Sequence, residues 1–286
     1  MLKFKSKFLF SFSFMTMFLL FVLPGCEKKY ITIVQPDEYE PRVIWVPDDY
    51  EKIQDAINAS EDGDTVRVRN GEYREGIQMF DKNISLISEK GPLRTIINST
   101  DIRTGLSISG GQDSSVIIAG FTFLNNSYWR SNCIYISGSG PRILNNIFTG
   151  PEGEGTTGIF GGENSAIIRN NMFYELRHSM QTGYVWGEFV NNMIIHCQPF
   201  AFWNASSHGQ PLVPDYNLFW ESGEFFNRDV MEWGENNLYD IDPIINEIDY
   251  TIEENSPAFN RGNPGILDID GSRSDIGVYG GPYAYN

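Results

Sequence analysis

The sequence predicts an all-β chain wound as a solenoid of short strands. Three observations predict it. An asparagine pair recurs along the middle of the chain, apolar or β-branched pairs flank it, and the composition is rich in Gly and Asn while charged residues make up only 20%. The pairs are Asn125-Asn126, Asn145-Asn146, Asn170-Asn171, Asn191-Asn192 and Asn236-Asn237, with Tyr216-Asn217 in the same series. The second member falls at Asn126, Asn146, Asn171, Asn192, Asn217 and Asn237, at intervals of 20, 25, 21, 25 and 20 residues. A period near 22 with variable insertions belongs to a solenoid, and helical repeats need about 30 residues or more. The fixed leucines of a leucine-rich repeat are absent, which leaves three short strands per turn. Ser115–Ala119, Pro141–Leu144 and Ala166–Arg169 have the length and β-branching for those strands. Asn suits the corner because it tolerates the left-handed conformation. Repeated at each level, its amides can stack in a ladder.

The elements follow in chain order. Lys3, Lys5 and Lys7 precede an apolar run from Phe8 to Leu23, which reads as an export signal. That run is short for a bilayer span of about 20 residues. Leu23-Pro24-Gly25-Cys26 resembles the bacterial lipobox, which implies acylation of Cys26 and a lipid bilayer as partner. On that resemblance residues 1–26 are a signal, residues 27–42 a tether, and the protein sits in the cell envelope, on the outer membrane. Ile53, Ala56 and Ile57 share one helical face, so a short helix is expected to cover the apolar end of the stack. Thr65–Arg69 alternates as a first strand.

Several segments carry a resemblance to a known family. They are the corners already named, the opening Ile53–Ala59, Asp62–Val68 and Asn70–Glu75, and the closing Asp242-Pro243, Ser256–Ala258 and Asp268–Pro282. Together they resemble the right-handed parallel β-helix family, the architecture of pectate lyases and many polysaccharide-active or adhesive proteins. The resemblance implies one β-helix domain over residues 43–286, with a capping helix in front and an irregular cap over residues 242–286. It implies a glycan or polysaccharide as partner and a monomer as the unit.

A formal charge of −16 opposes nucleic-acid binding, which needs a basic surface. It also opposes a polyanionic substrate, unless a local basic patch or a bound cation overrides the field. In the implied register, loops 127–132, 149–157, 174–179, 195–199 and 220–226 project from one edge. Tyr135, Phe160, Gln181 and Phe202 form an outward column beside them. These residues, with Trp129 and Arg130, are the candidate glycan groove, and Trp186 and Trp220 can join it. For catalysis by a lyase or hydrolase the loops offer Glu152, Glu154, Glu175, Glu188 and Glu221, and also Arg130, Arg142, Arg169, Arg177, His178 and His196. Glu175, Arg177 and His178 share one loop and are the catalytic candidates. A non-catalytic, adhesive solenoid stands beside these readings.

No metal site is expected, since the His residues lack zinc spacing. Asp268, Asp270 and Asp275 permit calcium, yet they miss the EF-hand pattern because Gly271 is fourth and Tyr279 twelfth. A turn with Arg273 paired to a neighbouring Asp is the simpler expectation there. Cys133 and Cys197 fall three turns apart, about 14 Å at strand spacing. That is too far for a disulfide, so both are expected as free, buried thiols.

Overall fold

The computed structural model describes residues 39–127, 130–150, 155–183, 186–204, 212–226, 232–246 and 248–285. The export signal, the lipidation site and most of the tether lie outside these residues, as do Trp129, Glu152 and Glu154. Glu40–Asn286 form one compact unit. Among the described residues no helix is long and apolar enough to cross a membrane.

From Thr65 to Asn204 each turn of the coil contributes a strand to each of three parallel sheets. One turn shows the path: Arg142–Leu144 lies in sheet A, Ile147–Thr149 in sheet B and Thr156–Gly162 in sheet C, before Ile167–Arg169 re-enters sheet A. Every strand bonds in parallel to its counterpart one turn away. Sheet A opens with Val43–Val46, whose partner is Thr65–Val68. The Thr65 strand is therefore the second rung, and the Val43-Ile-Trp-Val run of strand formers takes the first. The helix Ile53–Ala59 buries Ile53, Ala56 and Ile57 against the first turn. Glu75 accepts the N–H groups of Ile53 and Gln54 at its start.

The interior is a column of stacked side chains. Phe123, Phe148 and Phe173 lie with ring centroids 5.4 and 4.7 Å apart. The asparagine ladder runs beside them at the corner between sheets A and B. The backbone N–H of Asn146, Asn171, Asn192 and Asn217 donates to Oδ1 of Asn171, Asn192, Asn217 and Asn237, at 2.9–3.0 Å. Each Nδ2 donates to a carbonyl of the turn below, for example Asn171 to Ile143 at 2.9 Å. The ladder corrects one expected rung. Phe121, not Asn126, sits below Asn146 and donates its N–H to the Asn146 Oδ1. Thr122 pairs with Ile147, so Asn125-Asn126 fall one corner later, after the sheet B strand, and Asn126 is exposed.

The first residue of each pair has a different task. Asn145, Asn170 and Asn191 adopt φ of 52°, 52° and 58° and face outward. Their amides hold the C-terminal segment: Asn145 donates to the carbonyls of Val278 and Gly280, Asn170 to that of Asp275, and Asn191 to Ser274 Oγ. The segment then runs back toward the front of the coil, where Tyr285 donates to the Ser88 carbonyl. Its ring lies against Gly91 and Gly120 so closely that a Cβ on Gly120 would come 2.3 Å from the phenol oxygen. The preceding cap packs Ala258, Ile276 and Val278 over Ile147, Met172, Met193 and Leu218, which covers the outer face of sheet B.

Within the cap, Arg273 is not paired with an aspartate. It donates to the Gly262 and Arg261 carbonyls and lies over the Tyr216 ring. Asp268 accepts the N–H groups of Gly281 and Asp275, and Asp275 that of Asn260. Cys133 and Cys197 are free and fully buried.

Candidate functional site

The cap buries the outer face of sheet B around Ile147, Met172, Met193 and Leu218, while the outward side chains of sheet C are half-buried or exposed. Alternation along its strands sends Ile134, Ile159, Met180 and Phe202 inward. Tyr135, Phe160, Gln181 and Trp203 pair in register as the outward column, each half-buried. The Tyr135 and Phe160 rings are 5.7 Å apart. Ser107 and Gln78 extend the column toward the front of the coil.

Trp203 replaces Phe202 in the expected groove. Ile195 pairs with Tyr174, and Phe202 pairs with Met180, so the later turn needs seven residues where the earlier one needs six. One extra residue in a corner reverses which side chains face out. Trp203 is fixed in place by edge-on contacts with Phe200 and His178, at 5.1 and 5.0 Å.

Those contacts also remove His178 from the surface. It is 1% exposed, and its Nδ1 lies 3.0 Å from the Phe200 carbonyl oxygen. Burial lowers its pKa to about 4, so the ring stays neutral at ordinary pH. It supports Trp203 and has no access to a substrate proton. Leu176, between Glu175 and Arg177 in the chain, is fully buried. Glu175, Arg177 and His178 share no hydrogen bond or ion pair among the described residues, and His178 is buried away from the loop surface.

Glu175 instead joins two residues from the following turns. Tyr174, Ile195 and Trp220 pair in register, so the next residues, Glu175, His196 and Glu221, occupy one corner at successive levels. All three have left-handed backbone, with φ of 54°, 53° and 42°. His196 Nε2 and Glu221 Oε2 are 3.1 Å apart. With Gln198 and Ser222 these residues line an open cleft of about 550 Å³. Gln198 Nε2 donates to the Glu221 carbonyl. Ser222 Oγ is committed to backbone: it accepts from the Cys197 N–H and reaches the carbonyls of Ile194 and Trp220. The sequence held a signal for this column, since residues 175, 196 and 221 each lie four places after a ladder asparagine.

The other candidates lie elsewhere. Arg130 is exposed at the corner before the Ser131–Ser137 strand, with φ of 48°. Arg142 and Arg169 are on sheet A, and Arg169 is paired there with Glu188. Trp220 lies under the cap, and Trp186, 57% exposed, precedes a sheet A strand. Among the described residues no three His, Cys, Asp or Glu side chains are placed to hold a metal ion.

The parallel ladders, the asparagine corner and the three-sheet coil define the class: the chain is a right-handed parallel β-helix repeat protein. No protein-family model matches the chain, and no curated protein matches it. Solved structures it is similar to include pectin methylesterases. The enzyme from Aspergillus niger in deglycosylated form is 11% identical, with a TM-score of 0.41, and the match covers 70% of this chain and 82% of that one. The enzyme from Erwinia chrysanthemi is 12% identical, with a TM-score of 0.39, over 71% of this chain and 90% of that one. A pectin methylesterase in complex with a hexasaccharide is 11% identical, with a TM-score of 0.41, at the same coverage.

Proposed function

We propose that this protein binds a glycan along the outer face of sheet C, as a monomer anchored in the cell envelope through Cys26. One observation carries the reading: Tyr135, Phe160, Gln181 and Trp203 stack in register on an outer face, while the equivalent face of sheet B is buried. Large apolar side chains fixed at the surface of a rigid scaffold are the usual basis of ligand recognition. Here the rings offer apolar surface to sugar rings, and Gln181 offers hydrogen bonds to hydroxyls. The fold itself supplies no activity.

The test is affinity electrophoresis of the full-length chain against a panel of polysaccharides. Retardation by at least one glycan, lost in Tyr135→Ala and in Trp203→Ala, is the expected result. No retardation by any glycan would refute the reading. Hydrolysis is a second reading, and the contact between His196 and Glu221 in the cleft favours it. New reducing ends, abolished in Glu221→Gln, would establish it.

A further inference from the structure

We infer that the glycan held on sheet C is uncharged and that the face discriminates against charged sugars. The inference rests on the groove reading and adds a substrate class to it. It starts from the strands themselves. Six successive strands of sheet C, from Ile77–Phe80 to Phe200–Asn204, contain no Asp, Glu, Lys or Arg. Their outward side chains fall in two columns. One runs from Gln78 to Trp203 and is the column described above. In the other, Phe80, Ser109, Ser137 and Gly162 pair in register. Every one of these positions is half-buried or exposed. Sheet A shows what an outer face of this chain otherwise carries, with Arg67, Arg142, Arg169 and Glu188 on its half-buried positions. On sheet C the charges begin at the strand ends, and there the signs mix. Arg103, Arg130 and Arg177 immediately precede their strands, with Asp101 and Glu175 two residues before the first and last of them. Asp81 and Glu163 immediately follow theirs.

Charge decides what such a face accepts. A uronate, sulfate or ammonium group laid on it gives up hydration, and no opposite charge on the face replaces what is lost. A sugar hydroxyl is neutral and both donates and accepts. The face answers in the same neutral form: Gln78 and Gln181 carry amides, and Ser107, Ser109 and Ser137 carry hydroxyls. None of these five side chains hydrogen-bonds to another described residue, so all remain available to a ligand. Gln181 stands one level from Phe160 and one from Trp203, so a sugar stacked on either ring brings its hydroxyls toward that amide. The rings of Phe80, Tyr135, Phe160 and Trp203 take the apolar faces of the sugars. Gln78 and Trp203 are five level spacings apart, about 24 Å, which is room for several sugars in a row. The long-range field acts against a polyuronate, since a chain of formal charge −16 repels it. A polycation is drawn to the chain as a whole but meets no carboxylate on these strands. The ligand class is thus a neutral polysaccharide.

The probes are hexamers titrated into the full-length chain: neutral ones of glucose, mannose, galactose and xylose, and charged ones of galacturonate and glucosamine. At least one neutral hexamer is expected to bind about tenfold more tightly than either charged one, a difference of about 1.4 kcal/mol. Its affinity is expected to change by less than about twofold between about 0.02 and 0.5 M salt, because no charge pair is there to be screened. Gln181→Glu puts a carboxylate into the column and is expected to weaken that hexamer about fivefold. Arg142→Gln changes a charge on sheet A and is expected to leave it unaltered. The inference is overturned if a charged hexamer binds as tightly as the best neutral one, or if Arg142→Gln costs as much as Gln181→Glu. A charged hexamer that binds best and is lost in Trp203→Ala leaves the groove standing while the inference falls. Where only a longer polysaccharide binds, its charge decides in the same way. If no glycan binds, or if binding survives both Tyr135→Ala and Trp203→Ala, groove and inference fall together.

Discussion

Asn170 and Asn171 are adjacent in the chain and hold opposite sides of one corner. The Asn171 Oδ1 accepts the N–H of Asn146 inside the coil, while the Asn170 Nδ2 donates to the Asp275 carbonyl outside it. The left-handed backbone at Asn170 separates the two directions. A single dipeptide thus builds the ladder and fastens the tail.

Substitutions should separate these two tasks. Asn171→Ala leaves the Asn146 N–H buried without a partner and removes the Nδ2 bond to the Ile143 carbonyl. It should cost about 2–3 kcal/mol, at about 1–3 kcal/mol for the orphaned group. Asn170→Gly keeps the backbone conformation and removes only the tail contacts, for about 1 kcal/mol. Asn126→Ala, outside the ladder, should stay within about 0.5 kcal/mol of the parent. Urea denaturation midpoints measure all three, and a large loss at Asn126 would contradict the register.

Gly120 should be irreplaceable while Tyr285 is present. Gly120→Ala places a methyl group 2.3 Å from the phenol oxygen and strains a φ of 79°. The expected loss is about 2–3 kcal/mol. In a Tyr285→Ala background only the backbone strain remains, about 1 kcal/mol. Equal losses in both backgrounds would show that the ring does not sit there.

Phe202 and Trp203 should differ in kind. Phe202→Ala empties part of the core and should cost about 3–5 kcal/mol. Trp203→Ala should cost far less stability and abolish glycan retention. The reverse pattern, read by thermal melts and affinity gels, would restore the register expected from the loops alone.

Stability should depend on pH through Asp275. Burial pushes its carboxyl from 3.8 up to about 6, opposed by the Asn260 N–H, with Asp268 and Asp270 adding repulsion. Asp268 is itself raised by burial. The folded chain therefore holds this proton more tightly than the unfolded one. The resulting stabilisation is full below pH 3.8 and is lost as pH rises through about 6. Asp275→Asn should thus gain on the parent as pH rises from 4 to 7, when the two are compared by urea denaturation. A constant difference across that range would refute the assignment.

Much of this was legible in the residues. The repeat exposed the coil because a corner with one geometry keeps demanding one amide, and Ile53, Ala56 and Ile57 exposed the capping helix. The separation of Cys133 and Cys197 followed from the same spacing. Asn126 misled because the Asn125-Asn126 dipeptide imitates a ladder corner at another corner of its turn. Phe202 misled because a lengthened corner leaves no mark in a strand of Phe, Ala, Phe and Trp. The cleft was legible in part: Glu175, His196 and Glu221 share one offset from the ladder, yet charged residues on one loop seemed the nearer grouping. The hold of the tail on Asn145, Asn170 and Asn191 had no local signal, since it joins residues more than eighty positions apart.

That tail changes how the coil can come apart. A stack whose turns touch only their neighbours can fray from either end, one layer at a time. Here Tyr285 reaches turns laid down near residues 88–120, and the residues before it grip three corners in between. Melting the middle must therefore break contacts with the far end, which couples the layers into one cooperative unit. In biosynthesis the same contacts form late, so the front turns stay unfastened until the last part of the chain has emerged.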